Sequence, residues 1–306
     1  MIDILLATYN GEEYISEQIE SILNQTYKEF RILIRDDGSR DNTVAIIKEY
    51  EKKYPNKVSL VVDDVHCGSS ASNFMQLTKY ATAEYVMYCD QDDYWLENKL
   101  KVTLEKMREI EGRSNVERPV LIFSTYKLAD SKLKDIDADE NKNQIATYKL
   151  ELNRLLVQNY VTGCLMMVNK ALYSIAGEYS EEILMHDWWF ALIASAMGEI
   201  HHIPDVTMIY RQHGGNVVGA VNVKSMKYRI SKIKSRNTRM MKYKYRDQAK
   251  LFLMRYSNSL SREAYDVINE FINLYDSRKI ERIIRLVKGR YLKSDLVRVL
   301  GQLWYI

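Results

Sequence analysis

Tyr85-Val86-Met87-Tyr88-Cys89-Asp90-Gln91-Asp92-Asp93 joins a short β-favouring run to an abrupt cluster of acids. Five apolar residues are too few for a core helix and read as a buried strand. The same pattern occurs twice upstream, where Ile2 to Ala7 runs into Thr8-Tyr9-Asn10-Gly11 and Phe30 to Arg35 into Asp36-Asp37-Gly38-Ser39. Val58 to Val62 is a further β-favouring run. Between these strands, Tyr14, Ile15, Gln18, Ile19, Ile22 and Leu23, then Val44, Ile47 and Tyr50, recur at helical spacing. The alternation predicts an α/β fold, a mostly parallel sheet flanked by helices and joined by right-handed crossovers. Ligands of such sheets bind beyond the carboxyl ends of the strands, so the three polar turns meet at one edge.

Asp36, Asp37, Asp90, Asp92 and Asp93 gathered at that edge would repel one another without a cation or hydrogen-bond donors. Oxygen-rich clusters suit Mg²⁺ or Mn²⁺, which points to a diphosphate ligand carried with a metal. A dinucleotide site is disfavoured, because no GxGxxG follows the first strand and acids repel a bare pyrophosphate. Asp36 to Ser39 also has the composition of a turn, and Asp93 is placed to cap a helix from Leu96 through Met107.

With 306 residues and 46% hydrophobic content, the chain can bury one large core with a smaller appendage, which excludes a disordered polymer. Cys67, Cys89 and Cys164 fall singly, giving neither a disulfide framework nor a thiolate metal site, as suits a reducing cytoplasm. No signal-peptide pattern and no apolar run of about 18 residues occurs, so the expectation is a chain that is neither exported nor membrane-spanning. The net charge of +3 hides a division: residues 1–219 carry 23 Lys+Arg against 34 Asp+Glu, and residues 220–306 carry 21 against 7. A boundary after Gly214, Gly215 and Gly219 therefore separates an acidic domain, 1–219, from a basic helical tail, 220–306. Ser131 to Thr147 reads as a polar surface loop.

In the tail, Val223 to Tyr256 and Arg278 to Ile306 interleave basic and apolar residues. Ile280, Ile283, Ile284, Leu286, Val287, Leu292, Leu296, Val299, Leu300, Leu303 and Trp304 recur at helical spacing opposite Arg282, Arg285, Lys288 and Arg298. This basic amphipathic region suits an anionic membrane surface or, alternatively, a homodimer contact. Nucleic acid is not expected, since no recognition motif is present and the acidic domain would oppose it.

The order Ala7-Thr8-Tyr9-Asn10-Gly11, Gln25-Thr26-Tyr27, Asp36-Asp37-Gly38-Ser39-Arg40-Asp41 and Asp90-Gln91-Asp92-Asp93-Tyr94-Trp95 closely resembles glycosyltransferase family 2, of GT-A fold, over about residues 1–215. Within it, Val161-Thr162-Gly163-Cys164, His186-Asp187-Trp188-Trp189 and Tyr210-Arg211-Gln212-His213-Gly214 are similar to bacterial rhamnosyltransferases of surface-polysaccharide assembly. The resemblance implies a nucleotide site at Ala7, Tyr9, Asp37 and Asp90, in which Tyr9 stacks on a pyrimidine, Asp37 bonds the base and Asp90 lies near the ribose. It implies a metal held by Asp92, with His213 completing metal or diphosphate binding, and further diphosphate or acceptor contacts from Arg211, His186 and Trp188. Asp187 takes the place of the family's general base, although a carboxylate there could also serve as the N-cap of a helix from Trp188 to Met197. The implied activity is metal-dependent inverting transfer of a sugar, L-rhamnose from dTDP-L-rhamnose or else a hexose from a UDP-sugar. The acceptor is a hydroxyl of a lipid-linked surface polysaccharide at the inner face of the plasma membrane. A catalytically inactive sugar-nucleotide-binding scaffold is the competing reading.

Overall fold

Ile2, Ile4, Leu5 and Leu6 are all inaccessible to solvent, so the first strand is covered on both faces, as a central strand of a parallel sheet must be. The computed structural model describes residues 1–113, 115–136, 147–213 and 236–306. Its first part runs β1 (Ile2–Thr8), α1 (Ile15–Leu23), β2 (Phe30–Asp36), α2 (Thr43–Lys53), β3 (Val58–Val61), α3 (Ser70–Thr78), β4 (Tyr85–Cys89), β5 (Tyr94–Trp95) and α4 (Lys99–Glu111). There follow β6 (Val120–Ala129), α5 (Leu152–Leu155), β7 (Met166–Asn169), α6 (Lys170–Tyr173), α7 (His186–Met197) and β8 (Glu199–Arg211). The basic part folds as α8 (Arg236–Tyr256), α9 (Arg262–Asn273), α10 (Lys279–Lys288) and α11 (Leu296–Tyr305).

The eight strands lie in the order β3-β2-β1-β4-β7-β6-β8-β5. The β3-β2-β1-β4 block is parallel throughout, β6 and β8 are parallel, and β7 and β5 run antiparallel to their neighbours. The register pairs Thr8 with Asp36 and Leu6 with Cys89, so the polar turns after β1, β2 and β4 emerge together.

Two helix starts differ from the sequence expectation. Tyr94 and Trp95 pair with Ile209 and Met208, which keeps the chain extended after Asp93; α4 begins at Lys99 with Asn98 as its N-cap. Asp93 therefore caps no helix and instead accepts the Arg211 N–H at 3.3 Å. The N-cap of α7 is Met185, which moves Asp187 into the first turn.

The described part of the basic region docks on the α/β part rather than hanging from it. Trp189 of α7 packs against Phe252 and Tyr256 of α8 at ring separations of 5.4 and 5.9 Å, and Leu184 N donates to Gln248 Oε1 at 2.9 Å. The run from Arg278 to Ile306 is two helices, broken where Arg290 takes a left-handed φ of 57°. That link is held from α5 by Asn153 donating to Gly289 O (2.9 Å) and Arg154 to Leu292 O (2.7 Å). No helix among the described residues is long and apolar enough to cross a membrane. The boundary at 219, the three glycines before it and most of Ser131 to Thr147 lie outside the described residues.

Candidate functional site

Short polar side chains stitch the strand ends together. Thr8 Oγ1 donates to Asp36 Oδ1 at 2.9 Å, and Asp36 Oδ2 accepts the N–H groups of Gly38 and Ser39 at 3.0 and 2.7 Å. Asn10, at a left-handed φ of 48°, donates its N–H to Ser39 Oγ at 2.7 Å and accepts Arg40 N at 2.9 Å. From β4, the Gln91 amide grips the peptide of Tyr9 on both sides, accepting its N–H at 2.9 Å and donating to its carbonyl at 3.0 Å. A Cβ on Gly11 would lie 2.3 Å from Gln91 Oε1, so this grip requires glycine there. The clamped loop leaves the Tyr9 ring 53% exposed at the sheet edge, as a stacking platform for a flat ring would be. Ala7 sits half-buried just behind it.

Asp37 is nearly buried, and its two oxygens accept the N–H groups of Cys67 and Gly68 at 2.7 and 2.8 Å. It thereby fixes the loop after β3, and each oxygen keeps acceptor capacity toward a ligand. Beneath it, Arg35 pairs with Asp63 (2.7 Å) and donates to Asn73 Oδ1 (2.8 Å), holding Asp63 well below the usual carboxylate range.

The acidic run divides by depth. Asp92 is partly buried, and His213 Nε2 lies 2.8 Å from its Oδ2, joining two candidates that are 121 residues apart in sequence. Asp90 is partly exposed at its surface, yet the dense surroundings of its carboxyl and the nearby Asp92 push it up to about 7. Asp93 is buried, burial and the charges of Asp90 and Asp92 hold it well above the usual carboxylate range, and its Oδ2 has no hydrogen-bond partner among the described residues. Lys99, fully buried, donates to Cys164 O at 2.7 Å and lies 4.3 Å from the centre of the Trp95 ring. Burial lowers it to about 8, and the acids above partly oppose that shift.

These residues fit a divalent cation. Asp92 and His213, both partly exposed, offer an oxygen and a nitrogen donor side by side, a set suited to Mn²⁺ or Mg²⁺. Asp90, Asp93 and Cys164 also bring ligand atoms within 4.8 Å of one another. Burial holds the Cys164 thiol protonated, however, and a thiol is a poor ligand.

Arg211 lies under this run. Its guanidinium donates to Asp92 O at 2.8 Å, to Ser131 O at 2.7 Å and to the Glu17 carboxylate, and it stacks over Tyr14. Of the two partners open to it from sequence, phosphate oxygens or an acidic side chain, the structure shows the second in Glu17, and the buried guanidinium braces the acidic loop. The Trp188 indole N–H donates to Leu155 O at 2.6 Å and its ring packs on Tyr245, anchoring α5 and α8.

Asp187 is buried at the start of α7, where its oxygens accept Gly163 N at 3.1 Å and Trp188 N at 2.6 Å. Desolvation raises it to about 7 against the pull of those two bonds, and the charge of Asp90 adds to the rise. A carboxylate so tuned is a proton acceptor near neutral pH. His186 is wedged between Phe74 and Tyr88, with ring separations of 4.2 and 5.3 Å, and burial lowers it to about 3, so it is neutral. A Cβ on Gly163 would lie 2.7 Å from His186 Nε2, so the close approach that sets Asp187 depends on that glycine.

The clamp by Gln91 and the buried ammonium of Lys99 escaped the sequence reading. Gln91 stood inside an acidic run whose carboxylates drew the reading, and Lys99 looks like any lysine at the start of a charged helix.

The arrangement combines an exposed aromatic, an Asp–His pair and a buried carboxylate, and the comparisons with known proteins identify the family and the fold that carry it. The chain is 27% identical over 227 residues to dTDP-rhamnosyl transferase RfbG of Shigella flexneri, covering 70% of this chain and 74% of that one. It is 28% identical over 173 residues to UDP-Glc:alpha-D-GlcNAc-diphosphoundecaprenol beta-1,3-glucosyltransferase WfgD of Escherichia coli, covering 55% and 59%. It spans 58% of an uncharacterized glycosyltransferase of Rickettsia typhi. Among solved structures, residues 1–349 of S. aureus TarS in complex with UDP-GlcNAc superpose with a TM-score of 0.55 at 15% identity, covering 99% of this chain and 90% of that one. Mannosyltransferase PcManGT of Pyrobaculum calidifontis, in complex with GDP-Man and Mn²⁺, gives a TM-score of 0.52 at 14% identity, covering 99% and 87%. At such identities the structural likeness speaks for the fold alone, that of the GT-A glycosyltransferases. The model of glycosyl transferase family 2 matches residues 3–173, more than half of the chain, and the protein belongs to that family.

Proposed function

We propose that this glycosyltransferase moves L-rhamnose from dTDP-L-rhamnose to a hydroxyl of a lipid-linked surface glycan at the inner face of the plasma membrane, with inversion at the anomeric carbon. The observation that carries the reading is Asp187, a buried carboxylate raised to about 7 by desolvation and close enough to Asp90 to feel its charge. The acceptor oxygen attacks the anomeric carbon, its proton passes to Asp187, and the electron pair of the breaking C–O bond leaves with the diphosphate. With one base and no carboxylate acting as nucleophile, the displacement is single, and single displacement inverts configuration. Tyr9 stacks on the pyrimidine, and Asp37 accepts its N3–H with the capacity its loop contacts leave. Asp90 faces the ribose. Asp92 and His213 would hold Mn²⁺ or Mg²⁺, which when bound neutralises charge on the departing diphosphate.

The donor assignment draws on the similarity to RfbG, named a dTDP-rhamnosyl transferase, and the lipid-linked acceptor on WfgD, whose name specifies a diphosphoundecaprenol acceptor and a UDP-glucose donor. A UDP-hexose is therefore the competing donor. Both carry pyrimidines, which an aromatic and a carboxylate do not distinguish. Donor hydrolysis over a panel of dTDP-, UDP- and GDP-sugars with Mn²⁺ tests the proposal: dTDP-L-rhamnose is expected to turn over fastest. Faster turnover of a UDP-hexose would replace the sugar. Binding without any turnover would mark an inactive sugar-nucleotide scaffold.

A further inference from the structure

Two helices near the end of the chain carry their apolar rows outward. Ile280, Ile284 and Val287 on α10 and Leu296, Leu300 and Trp304 on α11 are between 47% and 76% exposed. Their spacing places each trio along one side of its helix. Two of the arginines expected on the opposite, wet face are engaged by the protein instead. Arg282 donates to the carbonyls of Leu274, Tyr275, Ser277 and Ile306, and Arg285 reaches Glu270 Oε1 at 2.8 Å and Ser277 Oγ at 2.6 Å. The two helices are tied together by Arg282 to Ile306 O (2.8 Å) and Lys279 to Trp304 O (3.1 Å). Within residues 278–306, Arg278, Lys279, Lys288, Arg290 and Arg298 are exposed, against the exposed acid Glu281 and the partly exposed Asp295, which pairs with Arg298 at 3.2 Å.

We infer that α10 and α11 form a docking surface for an anionic phospholipid bilayer. The apolar rows enter the boundary between headgroups and acyl chains, and the surrounding cations meet lipid phosphates. Charge selects this occupant over a second copy of the chain. Within residues 278–306 five Lys and Arg are exposed against one exposed acid, so a two-fold self-contact would press two surfaces of net positive charge together, whereas an anionic bilayer complements both the charge and the apolar rows. Since neither helix is long enough to span a bilayer, the contact lies in the plane of the surface. The inference stands apart from the sugar-transfer reading and would hold for an inactive chain.

The test is flotation of the full chain with phosphatidylcholine vesicles, with and without phosphatidylglycerol, at low and high salt. Its companion is tryptophan quenching by brominated lipid, which reports Trp304 because Trp95, Trp188 and Trp189 are buried. Binding to phosphatidylglycerol vesicles with quenching of Trp304 is expected. The double substitution Ile284→Ser and Leu300→Ser should weaken the binding by about 10-fold or more without changing the unfolding temperature, since both positions are exposed. No association at low salt would overturn the inference. So would wild-type binding by the double variant, or a doubled solution mass that the same substitutions abolish, which would mark a self-contact.

Discussion

Asp187→Asn is expected to lower turnover by about 10²-fold or more, the lower end of what a general base contributes, while the affinity for the donor stays nearly unchanged. The pH profile gives the same claim a second reading. The carboxylate is the active form, and burial has raised it to about 7, so the wild-type rate should climb as pH rises through roughly 7 and fall away below it. The residual activity of Asp187→Asn should lack that limb. A residue that merely supported the start of α7 would behave differently. Its loss would disturb the bonds to Gly163 and Trp188 and lower donor affinity, rate and thermal stability together, leaving the pH limb in place.

Asp92→Asn is expected to cost about 10²-fold or more in turnover and to raise the Mn²⁺ concentration needed for half-maximal rate, with the fold intact because the change is isosteric and the side chain keeps an oxygen toward His213. His213→Ala should shift the same Mn²⁺ titration by a smaller amount. EDTA should silence the wild type, and Mn²⁺ or Mg²⁺ should restore it. Undiminished turnover in EDTA would contradict the assignment of Asp92 and His213 to a metal.

The parts of the fold readable in sequence were those governed by local pattern. β1, β2 and β4 were legible because short β-favouring runs ended in polar turns, and their observed ends fall within one residue of the runs read from sequence. The meeting of the three turns followed from parallel topology alone. What stayed hidden depended on partners far away in the chain. The start of α4 moved because β8, more than 100 residues on, pairs with Tyr94 and Trp95. Arg211 and Trp188 carry the residue types of ligand contacts, and only the tertiary fold reveals that Ser131, Glu17 and Leu155 already engage their donors. Periodicity marked the C-terminal helices as amphipathic but could not say which side faces inward. Carbonyl groups at the end of α9 and at the chain terminus draw Arg282 inside and leave Ile280 and Ile284 outside.

Single displacement assisted by Asp187 is the centre of the account, and the anomeric configuration of the sugar tests it most directly. In donor hydrolysis followed by proton NMR, the sugar first released, observed before it mutarotates, is predicted to carry the configuration opposite to that of the donor. Release with the donor's own configuration would contradict the account, because retention requires a second displacement and a nucleophile that Asp187, as a base, does not supply.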